Sequence, residues 1–329
     1  MASGNRQYAK KPQPVASSTP SGYLAPGVVL EPPPGVAYTR VLSGVDRVTS
    51  TAVVGIVAAF LLVNIVCPVV RYALVALVYL VRGRPDGSFN AYNTAATAAV
   101  YPSTMAASSL ALAALIPLTM LLMRFLHHRS PVWLTSVQPG MRWRFLLLAV
   151  IVAIVLENAV YWVSDGRTSF HLAPSPGWAG WLVLILIVTP LQTAGEEYLF
   201  RGYLTQVLGS FIPNRWASML VSALLFALAH GTGQDLALFV NRFAFGALMG
   251  TLVLLTGGLE ASIAAHAVNN VFSYGYAALS AGGVAAAATV TSVTWTTTAW
   301  NVLAYVLVAL AAWTIGTRLN VARTTPPVQ

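Results

Sequence analysis

Residues 194–202 read AGEEYLFRG, with Glu196, Glu197 and Arg201 set between the apolar run WLVLILIV (181–188) and a further apolar helical pattern. An ionisable side chain in such surroundings costs about 2.5–3.5 kcal/mol on insertion scales, so three of them in six residues call for a reason. As a helix, the stretch puts Glu197 and Arg201 four residues apart on one face, with the acid first, the favourable order. At 3.6 residues per turn Glu196 falls about 140° away from Arg201. The pattern therefore predicts a neutralised pair, Glu197 with Arg201, and one glutamate, Glu196, left without a local partner.

The rest of the chain explains the apolar setting. Of 329 residues, 57% are hydrophobic and 8% charged; soluble domains carry about 25% charged residues. The composition is that of an all-α, polytopic integral membrane protein. Windows of about 20 apolar residues give eight candidate transmembrane helices, near 51–80, 101–123, 145–163, 178–208, 216–232, 236–256, 259–279 and 298–316. Residues 1–49, which hold seven prolines, read as a disordered cytoplasmic tail. Three helices and their loops follow (50–177), then a core of four helices (178–279), then a loop, a last helix and a short tail (280–329). Basic residues concentrate in the N-terminal segment, near 124–144, at Arg215 and at the C-terminus. The positive-inside rule then places both termini in the cytoplasm, and the proline-rich tail and lack of organelle signals fit a bacterial plasma membrane protein. The net charge of +9 is spread between apolar segments rather than gathered on one element, which argues against nucleic acid as a partner.

Two further motifs lie in the core. FALAH ends at His230, and Pro213 is 17 residues from both Glu196 and His230. In an antiparallel hairpin equal distances from the turn give equal depth, so these two side chains are expected at one level. HAVNN places His266 and Asn270 four apart on one face, with Asn269 beside them. Counted from Gly257-Gly258, His266 is expected to sit shallower than His230.

A glutamate, two histidines and an asparagine in a low-dielectric cleft suit attack of water on a carbonyl. Glu196 would be the general base and His230 would share and orient the water. His266 and Asn270 could donate to the oxyanion. Glu197, Arg201 and Asn269 would support them. The competing chemistry is zinc held by Glu196, His230 and His266, although no HExxH pairs two ligands on one helix. A serine or cysteine nucleophile is disfavoured, because Cys67 stands far away in sequence and no serine lies in a GxSxG setting.

Read as EExxxR, FxxxH and HxxxN, in this order and spacing, the three motifs resemble a family of intramembrane proteases. It includes the type II CAAX prenyl endopeptidases and the bacterial bacteriocin-processing or immunity-associated proteins. The resemblance covers about 178–279. It implies an eight-helix fold and a glutamate-dependent endopeptidase. Glu196 and His230 would activate water, His266 and Asn270 would form the oxyanion site, and no cofactor would be needed unless zinc takes part. The substrate would be a peptide or protein in or near the bilayer, possibly lipidated. A non-hydrolytic scaffold or immunity-like protein is the alternative from another class, and an acidic-relay transporter a third, disfavoured by the lack of an internal repeat.

Several polar residues have plainer expectations. Glu157 is expected as a capped or paired structural carboxylate, with a cavity-facing position the alternative, and Arg242 as a balance for Glu157 or Glu260, a cation snorkelling to the interface, or a binder of a substrate carboxylate. Arg71 should snorkel to the interface, and His127 and His128 should face water or headgroups. Gly246 and Gly250 should let helices pack closely.

Overall fold

The computed structural model describes residues 29–44, 48–85, 87–166, 170–174 and 176–327. Most of the tail predicted over 1–49 lies outside these residues, as do Arg6, Lys10, Lys11, Arg47 and Arg167.

The described chain is all-helical apart from isolated bridges. All eight expected helices are present: α1 Ser50–Val81, α2 Pro102–Phe125, α3 Trp143–Ser164, α4 Trp178–Phe211, α5 Arg215–Ala229, α6 Leu236–Thr256, α7 Glu260–Ala278 and α8 Trp295–Arg318. Six of them are long and apolar enough to cross a membrane; α5 and α7 are not. At 1.5 Å per residue, the 15 residues of α5 reach about 22 Å, short of a hydrocarbon core of about 30 Å. The 19 residues of α7 carry Glu260, His266, Asn269 and Asn270, and its first nine residues are all buried. This helix is hidden by protein rather than dissolved in lipid. The spanning helices, in contrast, expose rows of Val, Leu, Ile and Phe such as Val53, Val57 and Phe60 on α1, a surface that only a bilayer would cover. The chain is a multi-pass membrane protein.

Helix α7 packs between α4 and α3, α4 also lies against α2, and α5 with α6 and α6 with α8 close the bundle. Gly246 and Gly250 allow the α5–α6 approach, since a Cβ on Gly246 would come within 3.2 Å of the Ala223 backbone and one on Gly250 would strike Met219. Helices alternate in direction, so the segment before α1, the turns after α2, α4 and α6, and the segment after α8 gather at one end. There Arg142 binds both oxygens of Glu260 (2.8 and 2.6 Å) and donates to the carbonyls of Thr256 and Ala322.

Residues 29–44 correct the expectation of a disordered tail as far as they reach. They strap the same end: Leu30 N–H donates to the His128 carbonyl (2.7 Å), Arg129 to the carbonyls of Glu31 and Ser43, Arg40 to Gly209, and the Tyr38 hydroxyl to Leu134. Proline content misled here, because Tyr38, Val41 and Leu42 bury fully enough to fix the strap. Two other surface expectations also fail. Arg71 donates to Asn93 (3.2 Å) on a short helix, Phe89–Thr97, and does not snorkel. His127 is buried against the Tyr203 hydroxyl, 2.8 Å away.

Burial, helped by the nearby charges of Arg129 and His128, pushes the His127 pKa down to about 4. An unfolded imidazole takes its proton near 6.5. The stability from this neutral histidine is therefore complete above about pH 6.5 and is lost as pH falls toward 4. Thermal unfolding in detergent should show a lower midpoint at pH 5 than at pH 7, and the His127→Asn variant should show a smaller drop over that interval. Equal drops would remove His127 from the account.

Candidate active site

The site is built on the second half of α4. Gly195 has no room for a side chain: a Cβ there would meet the Leu112 carbonyl oxygen and stand 3.2 Å from Ala113 Cα. This glycine lets the α2 backbone press against α4 one residue before Glu196. From Tyr198 to Leu204 the helix widens to a π-helix, a local rearrangement often found at functional sites. The Phe200 carbonyl accepts from Thr205 Oγ1 (2.9 Å) and from Ser222 Oγ (2.5 Å) on α5. Ser222 thus pins α5, the helix that carries His230, to the widened turn.

The expected division of the glutamates is present, with one addition. Glu197 is fully buried and its Oε1 stands 3.0 Å from Arg201 Nη1 and 2.8 Å from His266 Nδ1. Glu197 therefore joins α4 to α7 as well as neutralising Arg201. The guanidinium carbon of Arg201 lies 3.9 Å from the centroid of the Phe226 ring, a cation–π contact in a dry setting. Phe226 also meets His230 edge-on at 4.7 Å and Phe200 at 5.3 Å. Phe245 meets His266 at 4.8 Å.

Glu196 faces the other way, into a cavity of about 740 Å³ whose wall includes His230, His266, Asn269 and Asn270. It is not alone on its helix. Gln192, one turn earlier, donates to Glu196 Oε1 (3.3 Å) and accepts from Ser109 on α2 (3.0 Å). The 192–196 spacing was available in the sequence and was missed because attention went to charge. Glu196 Oε2 remains, 3.7 Å from His266 Nε2.

His230 caps the C-terminus of α5 instead of lying within it. Its Nδ1 is 2.8 Å from the Phe226 carbonyl. A carbonyl only accepts, so Nδ1 carries the hydrogen and Nε2 presents a lone pair to the cavity. No hydrogen bond joins His230 to Glu196 among the described residues. They share the cavity, as the mirrored spacing about Pro213 predicted. The expected shallowness of His266 is corrected, since its bond to Glu197 fixes it at the level of the glutamates. Asn269 Nδ2 donates to Asn270 Oδ1 (2.9 Å), which leaves the Asn270 amide hydrogens for the cavity.

Neither Glu157 nor Arg242 makes the structural ion pair that led the expectations; both line the cavity, the alternative for Glu157. Glu157 lines the same cavity, and neither of its oxygens has a hydrogen-bond partner. Arg242 reaches neither Glu157 nor Glu260. It donates to Gln234 Oε1 (2.8 Å), because Arg142 already holds Glu260. Gln234 in turn donates to the carbonyls of Ala227 and Gly231, both at 2.9 Å, and so clamps the turn that carries His230. Cys67 bonds the Ala111 carbonyl and takes no part in the cavity wall.

With this geometry in hand, the family model described as type II CAAX prenyl endopeptidase Rce1-like matches residues 176–272. That segment holds Glu196, Glu197, Arg201, His230, His266 and Asn270 together. Over that segment the chain is similar to the Rce1-like family. The chain is also 28% identical over 166 residues to the "Uncharacterized protein YyaK" of Bacillus subtilis (strain 168), covering 48% of this chain and 56% of that one. A second relative, the "Uncharacterized 24.3 kDa protein" of Escherichia coli, is 33% identical over 86 residues, which is 26% of this chain and 38% of the other. The chain thus spans about half the length of the curated relatives it matches. No solved structure matches it significantly.

The Rce1-like segment supplies the polar groups, but two walls of the cavity, around Glu157 on α3 and Tyr305 on α8, come from outside residues 176–272. Gln234 lies within the segment and no motif marks it. Replacing it with leucine removes three hydrogen bonds, each worth about 1 kcal/mol net. In Gln234→Leu the amides of residues 229–235 should exchange at least about tenfold faster in hydrogen–deuterium exchange, with α7 unchanged. Unaltered exchange in that turn would show that Gln234 does not clamp it.

Proposed function

We propose that the chain is a membrane endopeptidase that hydrolyses a peptide bond with water activated by Glu196. The observation that carries this reading is the meeting of Glu196, His230, His266 and Asn270 in one cavity, from three different stretches of an Rce1-like segment. Its volume falls within the range of about 300–1,000 Å³ usual for ligand sites, enough to take a few residues of an extended peptide.

In the proposed reaction a water molecule sits between Glu196 Oε2 and the lone pair of His230 Nε2. Glu196 takes a proton as the water oxygen attacks the carbonyl carbon. The negative charge passes to the carbonyl oxygen, which receives hydrogen bonds from Asn270 and His266. Since Nδ1 of His266 donates to Glu197, its Nε2 donates in the form that carries hydrogen on both ring nitrogens. The tetrahedral intermediate then collapses. The C–N bond breaks, and protonated Glu196 returns its proton to the leaving amine. Gln192 keeps one Glu196 oxygen engaged and the other aimed at the cavity. Desolvation inside the bundle strengthens each of these contacts.

Zinc is the competing chemistry: His230 and His266 bond through Nδ1 and keep Nε2, as zinc ligands do, while among the described residues no three His, Cys, Asp or Glu side chains stand in a metal-holding group. No step above is routed through a metal. The substrate in this proposal is a peptide segment in or near the bilayer, possibly lipidated, and no nucleic acid takes part. The basic end of the bundle, with Arg40, Arg129, Arg142 and Arg215, faces the cytoplasm of a plasma membrane under the positive-inside rule.

Glu196→Gln should abolish cleavage of a responsive peptide while the protein still accumulates in membranes and unfolds at nearly the wild-type temperature. His230→Ala should lower kcat by about 10²–10⁴-fold, the span of a lost proton-transfer group. Normal cleavage in both variants would refute the mechanism, and normal cellular function in both would favour a scaffold.

A further inference from the structure

Glu157 is the one carboxylate in the cavity wall that the proposed chemistry does not use. It stands on α3, and both its oxygens are enclosed without a hydrogen-bond partner. Arg142 is committed to Glu260 and Arg201 to Glu197, and Arg242, elsewhere in the same wall, bonds the neutral Gln234 rather than Glu157. A desolvated carboxylate without a counter-charge is costly and gains most from an occupant that brings one.

One turn further along α3 the cavity wall becomes aromatic. Tyr161 stacks on Tyr276 with centroids 4.7 Å apart and planes at 16°, and Trp162 meets Tyr276 edge-on at 5.8 Å while donating from Nε1 to its hydroxyl (3.1 Å). The Tyr276 hydroxyl donates to Asn158 Oδ1 (2.5 Å), so the rings are fixed beside the turn that carries Glu157. A carboxylate below a rigid group of aromatic faces is the arrangement that recognises an ammonium or guanidinium group.

We propose that Glu157 and the neighbouring Tyr161–Tyr276 stack form a subsite for a lysine or arginine side chain of the peptide substrate, a few residues from the bond cleaved. The proposal takes its substrate from the endopeptidase reading. Its binding test does not depend on that reading.

Purified full-length protein in nanodiscs would be given N-acetylated peptides that carry Lys, Arg, norleucine or Glu at each position in turn. Acetylation removes the terminal ammonium, so only the side chain can supply the cation. At one position kcat/KM should favour Lys and Arg over norleucine by about tenfold or more, the scale of one charge-assisted bond. In Glu157→Gln that ratio should fall to near one, and in Glu157→Lys the Glu peptide should become the preferred one. The same peptides, labelled with fluorescein, would be titrated against Glu196→Gln protein with and without Glu157→Gln, which reads the subsite even if nothing is cleaved. A lysine preference in binding that disappears with Glu157 supports the subsite although hydrolysis fails. An identical ranking of peptides in wild type and Glu157→Gln, or no position that favours a basic residue in either assay, overturns it.

Discussion

The bundle is organised around one buried carboxylate. Glu197 is fully enclosed, and it is held by Arg201 on its own helix and by His266 on α7. Removing one partner from such a network leaves an uncompensated charge and typically costs about 3–5 kcal/mol. The same contact fixes the height of α7 against α4, sets the hydrogen on His266 Nδ1, and forces Glu196 to face the opposite way. The π-helical turn from Tyr198 to Leu204 widens α4 where this occurs. Phe226 then covers Arg201 with its ring, offers its carbonyl to His230, and so couples the ion pair to the second motif. Three short motifs that look independent in sequence are one connected object.

Much of this was legible in the sequence because helical geometry is regular. The spacing of Glu197 and Arg201 gave their pairing, and the symmetry about Pro213 brought Glu196 and His230 to one cavity. Hydropathy located all eight helices. It does not distinguish a helix wrapped in protein from one wrapped in lipid. Helix α7 is the instance: its polar residues are affordable only because α3 and α4 enclose it. Charge counting also overlooked neutral partners. Gln192 and Gln234 do the orienting that was looked for among ions, and Tyr38 with Val41 anchors a strap whose prolines suggested disorder. Pairing across helices, as between Arg142 and Glu260, has no signature along the chain.

The cavity joins two kinds of wall. The wall from α4 to α7 lies almost wholly within the Rce1-like segment and holds the groups suited to hydrolysis. The facing wall lies outside it and holds Glu157 and Tyr161 on α3, Tyr276 near the end of α7, and Tyr305 on α8. In the proposed reading, chemistry and recognition are thereby separated in sequence while facing one another in space. Such a division allows substrate preference to change without disturbing the Glu197 network on which the catalytic wall depends.

The central claim is that Glu197 is a structural ion whose worth lies in its partners, so that Glu196 is free for chemistry. A double-mutant cycle on Glu197→Gln and Arg201→Met, read by reversible unfolding of the purified protein, tests it most directly. The account predicts that the double variant is more stable than the sum of the single losses implies, with a coupling of about 2 kcal/mol or more. Losses that add to within about 0.5 kcal/mol would contradict it.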